Sequence, residues 1–111
     1  MAGHVIICPK IEAWDQYKKE DKVLAFFTAP WSGQAHKIAP IVRDLAREYP
    51  DVHVVQLDWR QYESAAKELN VNSAPTLLFM KRGVVKEKVE TTMRPYLLYD
   101  KMDKNFVLKN Y

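Results

Sequence analysis

Cysteine is nearly missing from this sequence: Cys8 is the only one in 111 residues. A single cysteine excludes an intramolecular disulfide, a Cys-x-x-Cys redox pair and a cysteine-based zinc knuckle. His4, His36 and His53 show no metal-ligand spacing, so no metal site and no cofactor is expected. Long apolar runs are also absent, since nothing approaches the roughly 18 consecutive apolar residues of a membrane span. His4-Val5-Ile6-Ile7-Cys8 is too short, and lacks the basic flank, for a secretion signal. With a free thiol and no signal, the expectation is a soluble protein of the cytoplasm or nucleus that meets no membrane. Charge of one sign is scarcely in excess. A net charge of +3 and a pI near 9.0 imply no nucleic acid without a dedicated patch.

What is present is ordinary globular material. A composition 48% hydrophobic and 28% charged rules out disorder for the bulk of the chain. Strand-like runs occur at Val5 to Cys8, Val23 to Thr28, Val52 to Leu57, Thr76 to Met80 and Val84 to Val89. The second, third and fourth are almost continuously apolar, which predicts interior strands covered on both faces. The fifth alternates Lys86 and Lys88 with Val85 and Val89, the pattern of an edge strand kept from aggregating by its lysines. Lys81-Arg82-Gly83 supplies a turn that makes the last two runs a hairpin.

Helical patterns fall between the strands. Ile11 to Lys19 places Ile11, Trp14 and Tyr17 at helical spacing, and Gln61 to Leu69 gathers Ala65, Ala66 and Leu69. From Gln34 to Tyr49, Ile38, Ile41, Val42, Leu45 and Ala46 form a stripe of helical period, stopped by Pro50-Asp51. After Pro95, Leu98, Met102 and Phe106 recur every four residues. The order is βαβαβαββα, an α/β layout without repeats, linkers or low-complexity segments, so residues 1–111 are expected to form one domain. Pro40 interrupts the strongest helical stripe and predicts a kink. Pro75 stands directly before an interior strand, where its peptide bond is open to cis or trans.

Ala29-Pro30-Trp31-Ser32-Gly33-Gln34-Ala35-His36-Lys37-Ile38-Ala39-Pro40 resembles the thioredoxin active-site segment A-x-W-C-G-P-C-x-x-I-A-P. In the same register, Val71-Asn72-Ser73-Ala74-Pro75-Thr76-Leu77 is similar to the thioredoxin V-x-x-x-P-T segment, whose proline is cis. The resemblance spans essentially the whole chain. It implies the thioredoxin fold, a central mixed five-stranded sheet flanked by helices, and a cis Ala74-Pro75 bond.

The matching positions have lost the chemistry. Where the resemblance expects a nucleophilic thiolate at a helix N-terminus stands Ser32, and where it expects the resolving thiol stands Ala35. Thiol–disulfide exchange needs both. The buried acid that accepts the resolving thiol's proton aligns with Phe26, its accompanying lysine with Gln56, the intervening proline with Gln34, and a substrate-loop glycine with Glu90. Once no thiol needs deprotonating, a buried carboxylate is only a desolvation cost, and an aromatic packs better. Losses reaching this far from the cysteines mark a natural departure from redox catalysis, not a silenced enzyme.

Several residues carry two readings. Ser32 is either an N-cap or a hydroxyl orienting a thiol or anion, as in the glutathione transferases that share this fold, with His36 as its base. Cys8 is either a small buried hydrophobe or an exposed thiol open to intermolecular disulfide formation and glutathionylation. Trp59 and Tyr62 either pack a helix or line a groove with Trp31, Ala74, Pro75 and Thr76. In the family, the residue before the cis-proline pairs its backbone with an extended substrate, a strand addition that needs no cysteine.

The expectation is therefore a redox-inactive protein-binding module, an adaptor, assembly subunit or non-covalent chaperone. It holds a protein or extended peptide against the degenerate segment Trp31, Ser32, Gly33, Gln34 and Ala35. A glutathione-binding or transferase-like enzyme using Ser32 is the alternative, and a thiol oxidoreductase working through Cys8 ranks last. Lys81, Arg82, Lys86 and Lys88 cluster without interleaved exposed aromatics, so no nucleic-acid partner is expected. A monomer or weak dimer is expected.

Overall fold

The three nearly unbroken apolar runs form the middle of the sheet. In the computed structural model, which describes residues 3–90 and 94–108, five strands lie in the order β1-β3-β2-β4-β5. They are β1 (Val5–Ile7), β2 (Val23–Thr28), β3 (His53–Asp58), β4 (Thr76–Lys81) and β5 (Val84–Val89). Helices α1 (Ile11–Tyr17), α2 (Gly33–Glu48), α3 (Glu63–Glu68) and α4 (Pro95–Met102) complete the order βαβαβαββα. Strands β1 and β2 run parallel to β3, whereas β4 is antiparallel to β2 and β5 to β4. This is the mixed α/β sheet of the thioredoxin fold. Among the described residues no helix is long and apolar enough to cross a membrane.

Alternation along the central strands sorts their side chains onto two cores. Leu24, Phe26, Val54, Leu77 and Phe79 face α2 and α4, meeting Ile38, Val42, Leu45, Leu98 and Met102. Val23, Ala25, Phe27, Val55 and Leu57 face the other way, onto Trp14, Ala65 and Ala66 of α1 and α3. Both faces of these strands are thus covered, which is why their sequences lack the polar beat of a half-solvated sheet.

Element ends differ from the sequence expectation in ways the hydrogen bonds explain. β1 stops at Ile7, not Cys8, although the Cys8 amide still donates to the Gln56 carbonyl at 2.9 Å before Pro9 ends pairing. β3 begins at His53 rather than Val52. α1 ends at Tyr17, after which Lys19 and Glu20 close short turns onto Gln16 and Tyr17. α3 begins at Glu63 because the Asp58 carboxylate accepts from the amides of Arg60 and Gln61, holding a turn ahead of it. α2 runs unbroken through Pro40, whose ring lies on the exposed side.

The C-terminal stripe shows a subtler departure. At about 100° per residue, a step of four overshoots one α-turn by roughly 40°. Leu98, Met102 and Phe106 would therefore drift across a regular helix, though within one apolar face. Here α4 opens after Met102 into a wide π-turn, Asp103–Val107, with Phe106 on the core, its ring 6.0 Å from Phe79. The β4–β5 turn is a two-residue one with Arg82 and Gly83 both at positive φ, 50° and 84°, the hand that matches strand twist. Arg82 tolerates this because its amide donates to the Glu20 and Asp21 carbonyls and its Nε to the Asp21 carboxylate at 3.0 Å.

Candidate functional site

The ends of β2 and β3, the first turn of α2 and the loop before β4 converge at one end of the sheet. Ser32 caps α2 from an extended backbone conformation. Its Oγ accepts from the Ala35 amide at 3.1 Å and donates to the Ala74 carbonyl at 3.3 Å. The N-cap reading of Ser32 therefore holds, and the hydroxyl also ties the helix to the loop before β4, where the Ala74-Pro75 bond is cis. His36 does not serve as its base. The Nε2 of His36 donates to the Pro30 carbonyl at 2.9 Å, and both hydrogen bonds of the Ser32 hydroxyl go elsewhere, to Ala35 and Ala74. An uncharged hydroxyl already engaged in two hydrogen bonds is no nucleophile at neutral pH.

Below Ser32 the departed chemistry is filled with hydrocarbon. Ala35 is fully buried and belongs to the same core cluster as Phe26, itself 1% exposed. Gln56 faces Phe26 across the sheet in register, so an amide and an aromatic ring stand where the resemblance places lysine and carboxylate. Gln34 and Gly33 lie exposed on the first turn of α2.

Trp31 is the exposed member, with 55% of its surface open to solvent. It is nevertheless held. Its ring meets Trp59 edge-on at 6.3 Å between centroids, and the Arg60 guanidinium lies 4.6 Å from its ring centre. Trp59 is fixed in turn by Nε1 donating to the Val71 carbonyl at 3.1 Å. Beyond Trp59 a hollow of about 420 Å³ is walled by Arg60, Lys67, Val71 and Asn72. Sequence pattern alone does not single out Arg60; its one visible signal is its place beside Trp59, just past the end of β3.

The remaining expected groove residues separate. Ala74 is half-buried at the surface, whereas Pro75 and Thr76 are buried. The Thr76 hydroxyl donates to the Ser73 carbonyl at 2.7 Å, so Thr76 shapes the loop and presents no side chain outward. Tyr62 does not join Trp31 and Trp59; its edge instead lines a hollow walled by Pro30, Ala35 and His36. It is 4% exposed, packs in the core on the α1 and α3 side, and donates its hydroxyl to the Cys8 carbonyl at 2.8 Å. Burial, and then its bond at Cys8, push the Tyr62 hydroxyl above its ordinary pKa. Helix packing is the role of Tyr62, while Trp59 lies beside Trp31.

Cys8 is buried, and its thiol donates to the Lys10 carbonyl at 3.2 Å. An enclosed thiol of this kind behaves as a small hydrophobe, so the picture of an exposed reactive cysteine gives way. Among the described residues no three His, Cys, Asp or Glu side chains converge to hold a metal ion. Chemically the site offers an apolar, partly cationic surface beside a half-open backbone segment. It holds no thiolate and no resolving thiol.

Comparison with known proteins agrees with this geometry. The thioredoxin family profile matches residues 6–104. Thioredoxin H1 of Arabidopsis thaliana is 36% identical over 92 residues, covering 78% of this chain and 81% of that protein. The thioredoxin H-type of Ricinus communis is 34% identical over 92 residues, 78% of each chain. Among solved structures, thioredoxin of Schistosoma mansoni superposes with a TM-score of 0.79 at 25% identity, over 95% of this chain and 97% of that one. A mutant thioredoxin from Halobacterium salinarum reaches a TM-score of 0.89 over 98% and 96% of the two chains, at 24% identity, a likeness of fold.

Proposed function

This chain belongs to the thioredoxin family, and we propose that residues 1–111 form one domain that binds an extended protein segment without covalent chemistry. The family's dithiol exchange is closed to it. Ser32 and Ala35 replace the two thiols, and Cys8, the one cysteine, is buried with its thiol donating to the Lys10 carbonyl. What supports binding is Trp31: a large exposed aromatic, clamped by Trp59 and Arg60, and next in sequence to Ser32, whose hydroxyl reaches Ala74. A pre-positioned aromatic gives up little side-chain entropy when a partner covers it. The Ala74 backbone is where an extended segment would pair, with Ser32 holding that carbonyl in place.

The alternative enzyme reading loses its main support, because the Ser32 hydroxyl hydrogen is committed inward to Ala74 rather than outward to a bound thiol. A reducing compartment, the cytoplasm or nucleus, suits a chain with one free thiol, and a monomer or weak dimer leaves Trp31 accessible.

Selection of peptides from a random displayed library against the chain tests this reading. The enriched peptides should bind the parent chain and lose about tenfold in affinity to Trp31→Ala, with insulin disulfides left unreduced throughout. Affinity untouched by Trp31→Ala would remove this surface from consideration.

A further inference from the structure

The two edges of the sheet are defended differently. β5 exposes Lys86 and Lys88, which discourage another strand from pairing there. Among the described residues β1 pairs only with β3; it carries Val5, Ile6 and Ile7 with no charge and no proline, and leaves Ile7 71% exposed. A hollow of about 470 Å³ lies along this edge, walled by Val5, Ile7, Arg43, Arg47 and Gln56; a second, of about 510 Å³, shares Ile7, Arg43 and Gln56 but runs on to Pro30, Ala35 and His36. Exposed arginines overlook it from α2. Arg47 is paired with Asp44, while Arg43 makes no ion pair among the described residues.

We propose that the free edge of β1 takes an extended segment of a partner protein whose side chains alternate acidic and apolar. Four residues along a helix rise about 6 Å. Two residues along a strand advance about 6.6 Å, and these share a face. Acidic side chains at alternate positions of an added strand therefore match the step from Arg43 to Arg47. The intervening apolar side chains extend the opposite face, where Ile6 packs on its core. A second copy of this chain is a poor occupant. Antiparallel pairing of β1 with itself places both copies of α2 on one side and sets arginine against arginine, which is repulsive.

Titration of the isotope-labelled full chain with a capped peptide, Glu-Val-Glu-Val-Glu, and with its lysine counterpart tests the proposal. The glutamate peptide should shift the amides of Val5, Ile6 and Ile7. Its affinity should fall about tenfold for the double variant R43E/R47E, fall for Ile7→Lys, and stay unchanged for Trp31→Ala. Both α2 positions are exposed, and circular dichroism of the double variant checks that the fold is retained. Absence of shifts at β1, equal binding of the lysine peptide, or loss of binding in Trp31→Ala overturns the proposal. A concentration-dependent dimer abolished by Ile7→Lys also overturns it, in favour of a second copy. Because the Trp31→Ala arm reads the groove beside Ala74 separately, either surface can fail without the other.

Discussion

The Ser32 hydroxyl and the Ala74 carbonyl, 42 residues apart in sequence, are joined by a hydrogen bond of 3.3 Å. The same oxygen accepts from the Ala35 amide, so one side chain both caps a helix and anchors a loop. A thiol is a weak donor and weak acceptor. Serine is thus a better structural residue here than the cysteine it replaces, and a worse chemical one.

The two hydrogen bonds of Ser32 can be separated by substitution. Ser32→Ala removes both, and denaturant unfolding should show a loss of about 1–2 kcal/mol, the usual range for an N-cap. Ser32→Asp keeps an acceptor for the Ala35 amide but turns an acceptor oxygen towards the Ala74 carbonyl. It should retain most of the stability and weaken peptide binding. Equal destabilisation by both variants would mean the cap contributes nothing.

Ser32→Cys restores the nucleophile without its resolving partner. The α2 N-terminus favours a thiolate there. Attack on glutathione disulfide forms one protein–glutathione disulfide and releases one glutathione thiolate, and Ala35 offers no thiol to displace the second. Mass spectrometry should show a single adduct that persists until a reductant is added. No adduct, or one on buried Cys8 alone, contradicts the placement of Ser32.

Phe26→Asp should destabilise the chain by several kcal/mol, combining a lost aromatic with a carboxyl buried beside Ala35 and facing Gln56. Desolvation raises the pKa of such a carboxyl in the folded state. The folded state then binds its proton more tightly than the unfolded one, so the penalty is smallest below the unfolded pKa and grows as pH rises through the folded one. Unfolding of the variant at acid and at neutral pH, referenced to the parent, reads this difference. A pH-independent penalty means the pocket admits water.

Much of this was legible in the sequence, and the reasons differ by residue. The apolar runs of β2 and β4 announced interior strands because burial on both faces leaves no room for alternation. The segment from Ala29 to Pro40 announced the site because Ser32 and Ala35 stand in an otherwise intact frame. Trp59 and Tyr62 were harder. They are three residues apart at the entrance to α3, and which one turns inward depends on the turn that the Asp58 carboxylate holds. The partnership of Arg60 with Trp31 arises only when the ends of β2 and β3 meet. The π-turn after α4, with Phe106 on the core, is likewise a tertiary feature, since the same stripe also fits a regular helix.

Glu87 gives a second pH signature, of opposite sign. Burial pushes its carboxyl up, but hydrogen bonds from Lys101 and Asn105 and the charges of Lys101 and Lys104 outweigh that, leaving its pKa below the ordinary value. A depressed folded pKa contributes stability that is present above the unfolded value and is lost as pH falls through the folded one. Glu87→Gln should therefore cost about 1 kcal/mol at neutral pH and progressively less in acid, where the parent loses the same pairing. Parallel stability–pH curves for the two chains would show that Glu87 does not fasten β5 to the C-terminal helix.

Arg60 decides how firmly Trp31 is presented. A cation over an exposed indole contributes about 0.5–1 kcal/mol, so Arg60→Ala should barely alter global stability. Its effect should appear in Trp31 itself, which keeps the edge contact with Trp59 but loses the group over its ring. Steady-state anisotropy of Trp31, compared with and without Arg60→Ala in one background where Trp14 and Trp59 are replaced by Phe, so that a phenyl edge stands in for the Trp59 indole, should fall as the indole gains freedom. Affinity for a library-selected peptide should drop about three- to fivefold in an otherwise wild-type Arg60→Ala chain, mainly through the entropy of ordering the ring on binding. Lys at this position keeps the charge as a strongly hydrated ammonium without a planar face to stack. Arg60→Lys should consequently resemble Arg60→Ala in anisotropy. Full retention of both readouts in Arg60→Lys would show that charge alone, not stacking, holds Trp31 in place.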